Sequence, residues 1–427
     1  MNPVALACAY LAQRPLATLL TTLLLALGVG TISALLSFDH QFRDHLLREA
    51  RNVHLVVGSK GSRLQLVLST VLHVDYPTGN IPWNEAVPLL DHPAVSRAVP
   101  VSLGDGVGAF RVVGTTGVFL EAHGAHLAKG RVWDGSFEAV LGATAARELG
   151  LDVGNVFATT HGVVAGGPEH VHDNYTVTGV LAPTGGVADR LVLTSLESIW
   201  EVHDQRIPTA GDRRVPGGDG DAARKDEGPT GDRRAQDDSA RGRNLAPAEI
   251  TALLLTFHSP VSMLRLAPEI DRNSAMITAS PAVEIGRLFA LLAPALDVLR
   301  GFGIVLMAGA ALAVFTTLTG VLDLRQRDIA ILRALGAVRA WTAGVLVAEA
   351  LILTLAGTLL GFALGHGALA VIGIVIPQAD NAGLSGLVAA PGEAWLLLAA
   401  LLTGLVSAGV PLLRAGRGNL SEILARN

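Results

Sequence analysis

Four long stretches almost free of charge limit what this chain can become. Every residue between Arg14 and Asp39 is uncharged, and so is every residue between Arg300 and Asp323. From Trp341 to Pro377 only Glu349 and His366 interrupt an apolar run, and Trp395 to Leu413 carries no charge. A helix crosses a hydrocarbon core of about 30 Å with roughly 20 apolar residues. Each stretch meets that length, so the pattern predicts four transmembrane helices. The composition agrees: half of the residues are hydrophobic and 16% are charged, against roughly 25% charged in an ordinary soluble domain. A formal net charge of −5 leaves no basic footprint for nucleic acid. A single cysteine, Cys8, excludes an internal disulfide framework and a cysteine-based zinc site.

The first stretch is too long for the apolar region of a signal peptide, and no A-x-A site closes it, so it reads as a retained anchor. Arg325, Arg327, Arg333 and Arg339 lie between the second and third stretches, and Arg414, Arg417 and Arg426 follow the fourth. The segment from Gln378 to Ala394 has neither lysine nor arginine. Positive charge marks cytoplasmic loops, which puts both termini and the second loop in the cytoplasm. Residues 38–288 then lie outside.

That long segment has a different character. Runs such as His54–Gly58, Phe110–Thr116, Tyr175–Leu181, Leu191–Ser195 and Ile250–Phe257 are β-branched or alternate. Stretches starting at Trp83, Thr144, Ser195 and Pro260 have helical spacing. Within it, residues 211–243 hold eight acidic and eight basic residues and one large aliphatic, Val215. Such a stretch cannot bury enough apolar surface to offset its ordering entropy, and is expected to be disordered. The expected architecture is an α-helical membrane protein with four transmembrane helices and a large α+β extracytoplasmic domain inserted between helices 1 and 2. Residues 1–37 form the N-terminal segment and first helix, 38–288 the inserted domain, and 289–427 the remaining helices and tail.

Several local sequences carry a resemblance. Leu324–Ala337 reads LRQRDIAILRALGA, Ala128–Phe157 contains AVLGATAARELGLDVGNVF, Tyr175–Leu196 reads YTVTGVLAPTGGVADRLVLTSL, and Pro411–Leu424 reads PLLRAGRGNLSEIL. Together with the order of one helix, a large outside domain and three helices, these resemble the MacB/FtsX-like ABC transporter permeases. The resemblance implies a coupling segment over 324–340, carried by Arg325, Arg327, Asp328, Ile329, Leu332, Arg333, Leu335 and Gly336. It also implies a cytoplasmic ATPase partner holding ATP and magnesium, a homodimer in a bacterial inner membrane, and a periplasmic adaptor or substrate protein. Independently of it, Ile329, Leu332 and Leu335 fall at helical spacing between charges. A helix of that kind offers apolar knobs to a partner groove or lies in the membrane interface.

No nucleotide site is visible. Gly58–Ser62 is glycine-rich and contains Lys60 but lacks the G-x-x-x-x-G-K-[ST] order. No catalytic set stands out, so the chain is not expected to be an enzyme and ATP hydrolysis belongs on another chain. Two alternatives stay open for the histidines. His161, His170, His172 and Asp173 supply the nitrogen and oxygen donors that zinc takes, or they belong to a solvated hairpin loop. His123 and His126 form a second pair. A zinc-holding cluster favours an ATP-independent membrane-anchored sensor or metal-binding module. Glu349 and His366 are intramembrane ionisable groups, which are costly and point to function or to a buried partner. Gly357, Gly361 and Gly365 have the small-xxx-small spacing that lets helices approach closely.

Overall fold

The computed structural model describes residues 2–161, 169–203, 246–334, 338–375 and 384–417; side chains at 161, 169–173, 321–334, 339, 342 and 414–417 are not described. The expected disordered stretch, 211–243, lies outside the described residues. The chain divides into two compact units, Met1–Asp44 with Ala290–Asn427, and His45–Phe289.

Two helices open the chain, α1 (Pro3–Ala12) and α2 (Pro15–Glu49). Asn2 caps α1, accepting a hydrogen bond from the Val4 N–H, and Pro3 needs no donor at the first turn. The inserted domain then runs β1 (Leu55–Ser59), α3 (Arg63–Thr70), β2 (Ile81–Pro82), α4 (Trp83–Leu90), β3 (Val95–Val107), β4 (Phe110–Thr115), α5 (Val118–Ala122), β5 (Leu127–Gly130) and β6 (Glu138–Leu141). It continues with α6 (Ala143–Leu149), β7 (Val156–His161), β8 (Glu169–Leu181), β9 (Leu191–Ser195), α7 (Leu196–Val202), β10 (Glu249–Ile250), β11 (Ala252–Phe257), α8 (Pro260–Asn273) and β12 (Met276–Ala279). Among the described residues the chain ends with three helices, α9 (Pro281–Ala334), α10 (Arg339–Val375) and α11 (Glu393–Arg417).

Every strand and helix expected inside the inserted domain forms. The long strand β3 organises them. Its first half pairs with β11, whose other edge pairs with β1, and β1 pairs with β12. Its second half pairs with β4 and β7. From there β4–β9–β6–β8–β7 leads back to β3, so six strands close on themselves. The β4–β9 and β6–β8 ladders are parallel, which requires the helical crossovers between them.

One core lies under each half. In the first, Trp83 meets Trp200 edge-on at 5.4 Å between ring centres, among Leu55, Ile81, Leu253 and Ile270. Trp200 is fully buried because its indole N–H donates to the Glu249 carbonyl at 2.8 Å. In the second, Tyr175 packs between Phe137 and Phe157 over Val112, Leu141 and Val192. Gly150 closes α6 at φ +68°, the left-handed conformation that a side chain would strain.

Among the described residues, four helices are long and apolar enough to cross a membrane: Pro15–Glu49, Pro281–Gly320, Ala343–Val375 and Glu393–Leu413. They pack through glycine. A Cβ on Gly361 would stand 2.9 Å from the Ala26 carbonyl oxygen, and one on Gly365 would stand 2.8 Å from that of Gly30. The glycine ladder therefore seats α10 on α2 within one chain. Leu25 and Val29 of α2, Met307 and Ala310 of α9, and Leu396 and Ala400 of α11 fill the centre.

Two helices are longer than the charge-free stretches. The first continues past Asp39 to Glu49, and α9 begins at Pro281 and ends at Ala334. The expected coupling segment is thus no separate helix where described: 324–334 is the last part of α9. Charged residues at exposed helical positions cost little, so the end of an apolar run does not end a helix.

Candidate coupling segment and polar sites

Arg325, Arg327, Asp328, Ile329, Leu332 and Arg333 occupy the last turns of α9. Leu335 and Gly336 lie outside the described residues. At 1.5 Å per residue, the 54 residues of α9 span about 80 Å. One helix, with Pro294 in its interior, thus starts two residues after β12 of the inserted domain and ends within the expected coupling segment.

Of the two intramembrane polar residues, Glu349 is buried in α10, 2% exposed. His366, further along α10, belongs to a network whose members are far apart in sequence. Its Nδ1 lies 3.0 Å from the Gly386 carbonyl oxygen, which can only accept, so that nitrogen carries a proton. Its Nε2 lies 3.0 Å from Oε1 and 3.2 Å from Oε2 of Glu393, the first residue of α11. Ser33 and Ser37 of α2 both donate to Glu393 Oε1, at 2.9 and 2.7 Å. One turn on, Gln41 accepts from the Ser385 N–H at 2.7 Å and donates to the Ser385 carbonyl at 3.0 Å. Asp39 reaches Arg300 of α9 at 3.7 Å. A histidine alone in an apolar helix announces that a partner is needed; it does not say which one.

The expected zinc ligands are placed only by their backbone. His161 ends β7 as the register partner of Asp105, and His170, His172 and Asp173 lie in β8. Among the described residues no group of three His, Cys, Asp or Glu side chains is poised to hold a metal ion. His123 and His126 do not act as a pair. His126 is exposed, whereas His123 stacks on Phe119 at 4.0 Å and its Nδ1–H donates to the Phe119 carbonyl at 3.0 Å.

Two further polar sites in the inserted domain had no sequence signal. His73 adopts φ +53° and packs against the other side of the aromatic cluster, 6.4 Å from the Phe119 ring. Neither of its ring nitrogens is reachable by solvent or hydrogen-bonded. Burial, reinforced by the charges of Arg111 and His123, holds its pKa down to about 3. Burial lowers that of His123 as well. Arg111 is satisfied by the Asp75 carbonyl at 2.6 Å and by the Tyr76 ring. The second site is the opposite case: the Asp105 carboxylate, 3.6 Å from His203 Nε2 and with no exposed side-chain surface, favours the protonated imidazole and raises the pKa of His203.

Comparison with known proteins agrees with this layout. Residues 18–217 match the MacB-like periplasmic core domain, and residues 300–420 match the FtsX-like permease C-terminal domain. Among solved structures, the periplasmic region of MacB from Actinobacillus actinomycetemcomitans is 10% identical, with 57% of this chain and 97% of that one aligned at a TM-score of 0.33. The extracellular domain of the noncanonic ABC-type transporter YknZ from Gram-positive bacteria is 8% identical, covering 53% of this chain and 99% of that one at 0.29. No curated protein matches the sequence. The two domain matches and the four apolar helices define a multi-pass membrane protein of the ABC permease class. Specifically, the chain belongs to the MacB/FtsX-like ABC transporter permease family.

Proposed function

We propose that this chain is the permease subunit that couples ATP hydrolysis on a separate cytoplasmic ATPase to movement of its extracytoplasmic domain. The continuity of α9 carries the proposal. A force applied at Leu332 acts on the same helix that leaves β12 at Pro281, with Pro294 in its interior the one point where a backbone hydrogen bond is missing. The work is done outside, as export, lipoprotein extraction or mechanical activation of a partner. Both termini lie in the cytoplasm of a bacterium, and the membrane is the inner one. The chain itself is not the enzyme. Two copies pair, as the family resemblance implies, and the apolar surface that α9 leaves open within one chain is available to the second copy.

Affinity capture of the tagged full-length chain from detergent-solubilised native membranes tests this reading. An ATPase should co-purify at near-equal stoichiometry and be lost in Leu332→Asp while the permease still accumulates. Undiminished ATPase recovery with Leu332→Asp overturns the assigned coupling site. A clean permease without any ATPase overturns the transporter reading.

A further inference from the structure

The end of α2 is bonded to two separate parts of the inserted domain. Leu46 and Ala50 are buried there, and Arg48 and Arg51 are exposed. Glu49 instead turns onto residues 182–190, the connection between β8 and β9. Its carboxylate accepts the Val187 N–H, and a Cβ on Gly186 would stand 2.6 Å from its Oε1. Gly186 has φ −123°, which suits any residue, so the glycine serves this close approach. Three residues after Glu49, the Asn52 amide donates to the Ala122 carbonyl at the end of α5, at 2.7 Å. The Asn52 carbonyl accepts from the Thr256 hydroxyl of β11. Thus β1 and β11 tie the exit of α2 to the first half of the sheet. Glu49 ties it to the six-strand ring, to which β8 and β9 belong, and Asn52 ties it to α5, which follows β4 of that ring.

The turn that Glu49 meets is internally braced. Asp189, 8% exposed, accepts from the Thr184 and Gly185 N–H groups at 2.8 Å each and from the Thr184 hydroxyl at 2.9 Å. A Cβ on Gly142, just before α6, would stand 2.3 Å from the Ala188 carbonyl oxygen, so the turn rests on the junction of β6 and α6. Arg190 then lies over the Phe110 ring of β4 at 4.8 Å. Close-packed contacts of this kind pass a displacement on rather than absorb it. By contrast, α9 joins the domain through β12, three pairings from β3 in the order β12–β1–β11–β3. We propose that Glu49 and Asn52 clamp the end of α2 to the strand ring, so that displacement of α2 reaches the ring directly while displacement of α9 enters through the first half. The role in transport rests on the reading of an ATP-driven movement of the inserted domain; the clamp itself needs no ATPase.

Amide hydrogen exchange on the full-length chain in lipid nanodiscs tests the clamp. Glu49→Ala removes the acceptor, and Gly186→Ala displaces it, because a Cβ there meets the end of a flexible side chain. Each should speed exchange in the 184–190 turn about tenfold, the effect of losing one charge-assisted hydrogen bond. The double variant should be no faster than either single one, since both changes remove the same contact. Arg48→Ala, exposed and one residue away, should leave the turn unchanged. Unchanged exchange in both single variants, or additive effects in the double one, overturns the clamp. The same measurement on the complex captured with its ATPase, with and without magnesium ATP and vanadate, tests transmission. In the wild type, nucleotide should alter exchange both in residues 252–279, which hold β11 and β12, and in residues 182–195. In Glu49→Ala with Asn52→Ala the 182–195 response should be lost and the 252–279 response kept. A ring response that survives in that variant overturns the proposal. A wild-type complex that responds nowhere overturns the transporter reading instead, and exchange in the 184–190 turn then decides the clamp alone.

Discussion

Acidification should weaken the inserted domain through His73, and the size of the effect follows from its burial. An ordinary imidazole titrates near 6.5, whereas His73 is held down to about 3 in the folded domain. Below 6.5 the unfolded chain therefore binds a proton that the folded one excludes. The stability it represents is fully present above about pH 6.5 and is lost as the pH falls toward 3. At about 1.36 kcal/mol per pKa unit the full loss is about 5 kcal/mol, and at pH 5 it is about 2 kcal/mol. Against a total stability of roughly 5–15 kcal/mol that is large. For a domain of this size it corresponds to a fall of about 4–8 °C in unfolding temperature. The assay is thermal unfolding of the detergent-solubilised chain, followed by tryptophan fluorescence at pH 7.5 and pH 5. His73→Asn provides the control, because Asn tolerates positive φ and does not titrate there. The wild type should lose about 2 kcal/mol more than the variant between the two pH values. Equal losses would refute the reasoning, since His123, also lowered by burial, and the carboxylates are common to both proteins.

Other substitutions test the remaining contacts. His203 contributes with the opposite sign: its raised pKa makes the Asp105 contact stabilising in acid and lost as the pH rises through the folded value. Asp105→Asn should therefore lower unfolding temperature more at pH 5.5 than at pH 8. Gly361→Val should prevent α10 from seating on α2, because a Cβ there meets the Ala26 carbonyl oxygen at 2.9 Å; loss of the folded-protein peak in size-exclusion chromatography reports it. Trp200→Ala should cost about 3–5 kcal/mol of domain stability, as large aromatic truncations in a packed core do, readable by denaturant titration.

The elements of the fold were largely legible because their signals are local. Apolar length marked the four long helices, and β-branched runs such as Leu191–Ser195 marked strands. Ser195 caps α7 by accepting from the Ser198 N–H, a signal written within four residues. The closed ring of six strands was not legible. It depends on β3 being long enough to pair with β11 at one end and β7 at the other, and Val95–Val107 read as sequence shows no division of labour between its halves.

The polar sites were illegible for a related reason, and the difference between two histidines shows it. His366 stood out because an ionisable residue in an apolar helix is expensive and must be compensated. The compensation comes from Ser33, which is 360 residues away from Glu393 in sequence, and from a carboxylate that reads as an ordinary charge at a helix start. His73 gave no signal at all, lying in a mixed segment, LHVDY, where a histidine costs nothing until the fold closes over it. Only the folded backbone, with φ +53° and both ring nitrogens sealed from solvent, turns it into an excluded proton. Sequence thus reports where a cost must be met when the environment is itself written in the sequence, as it is for an apolar helix. Where the environment is made by distant strands, the cost becomes visible only in three dimensions, and it is those residues whose titration should separate the folded chain from the unfolded one.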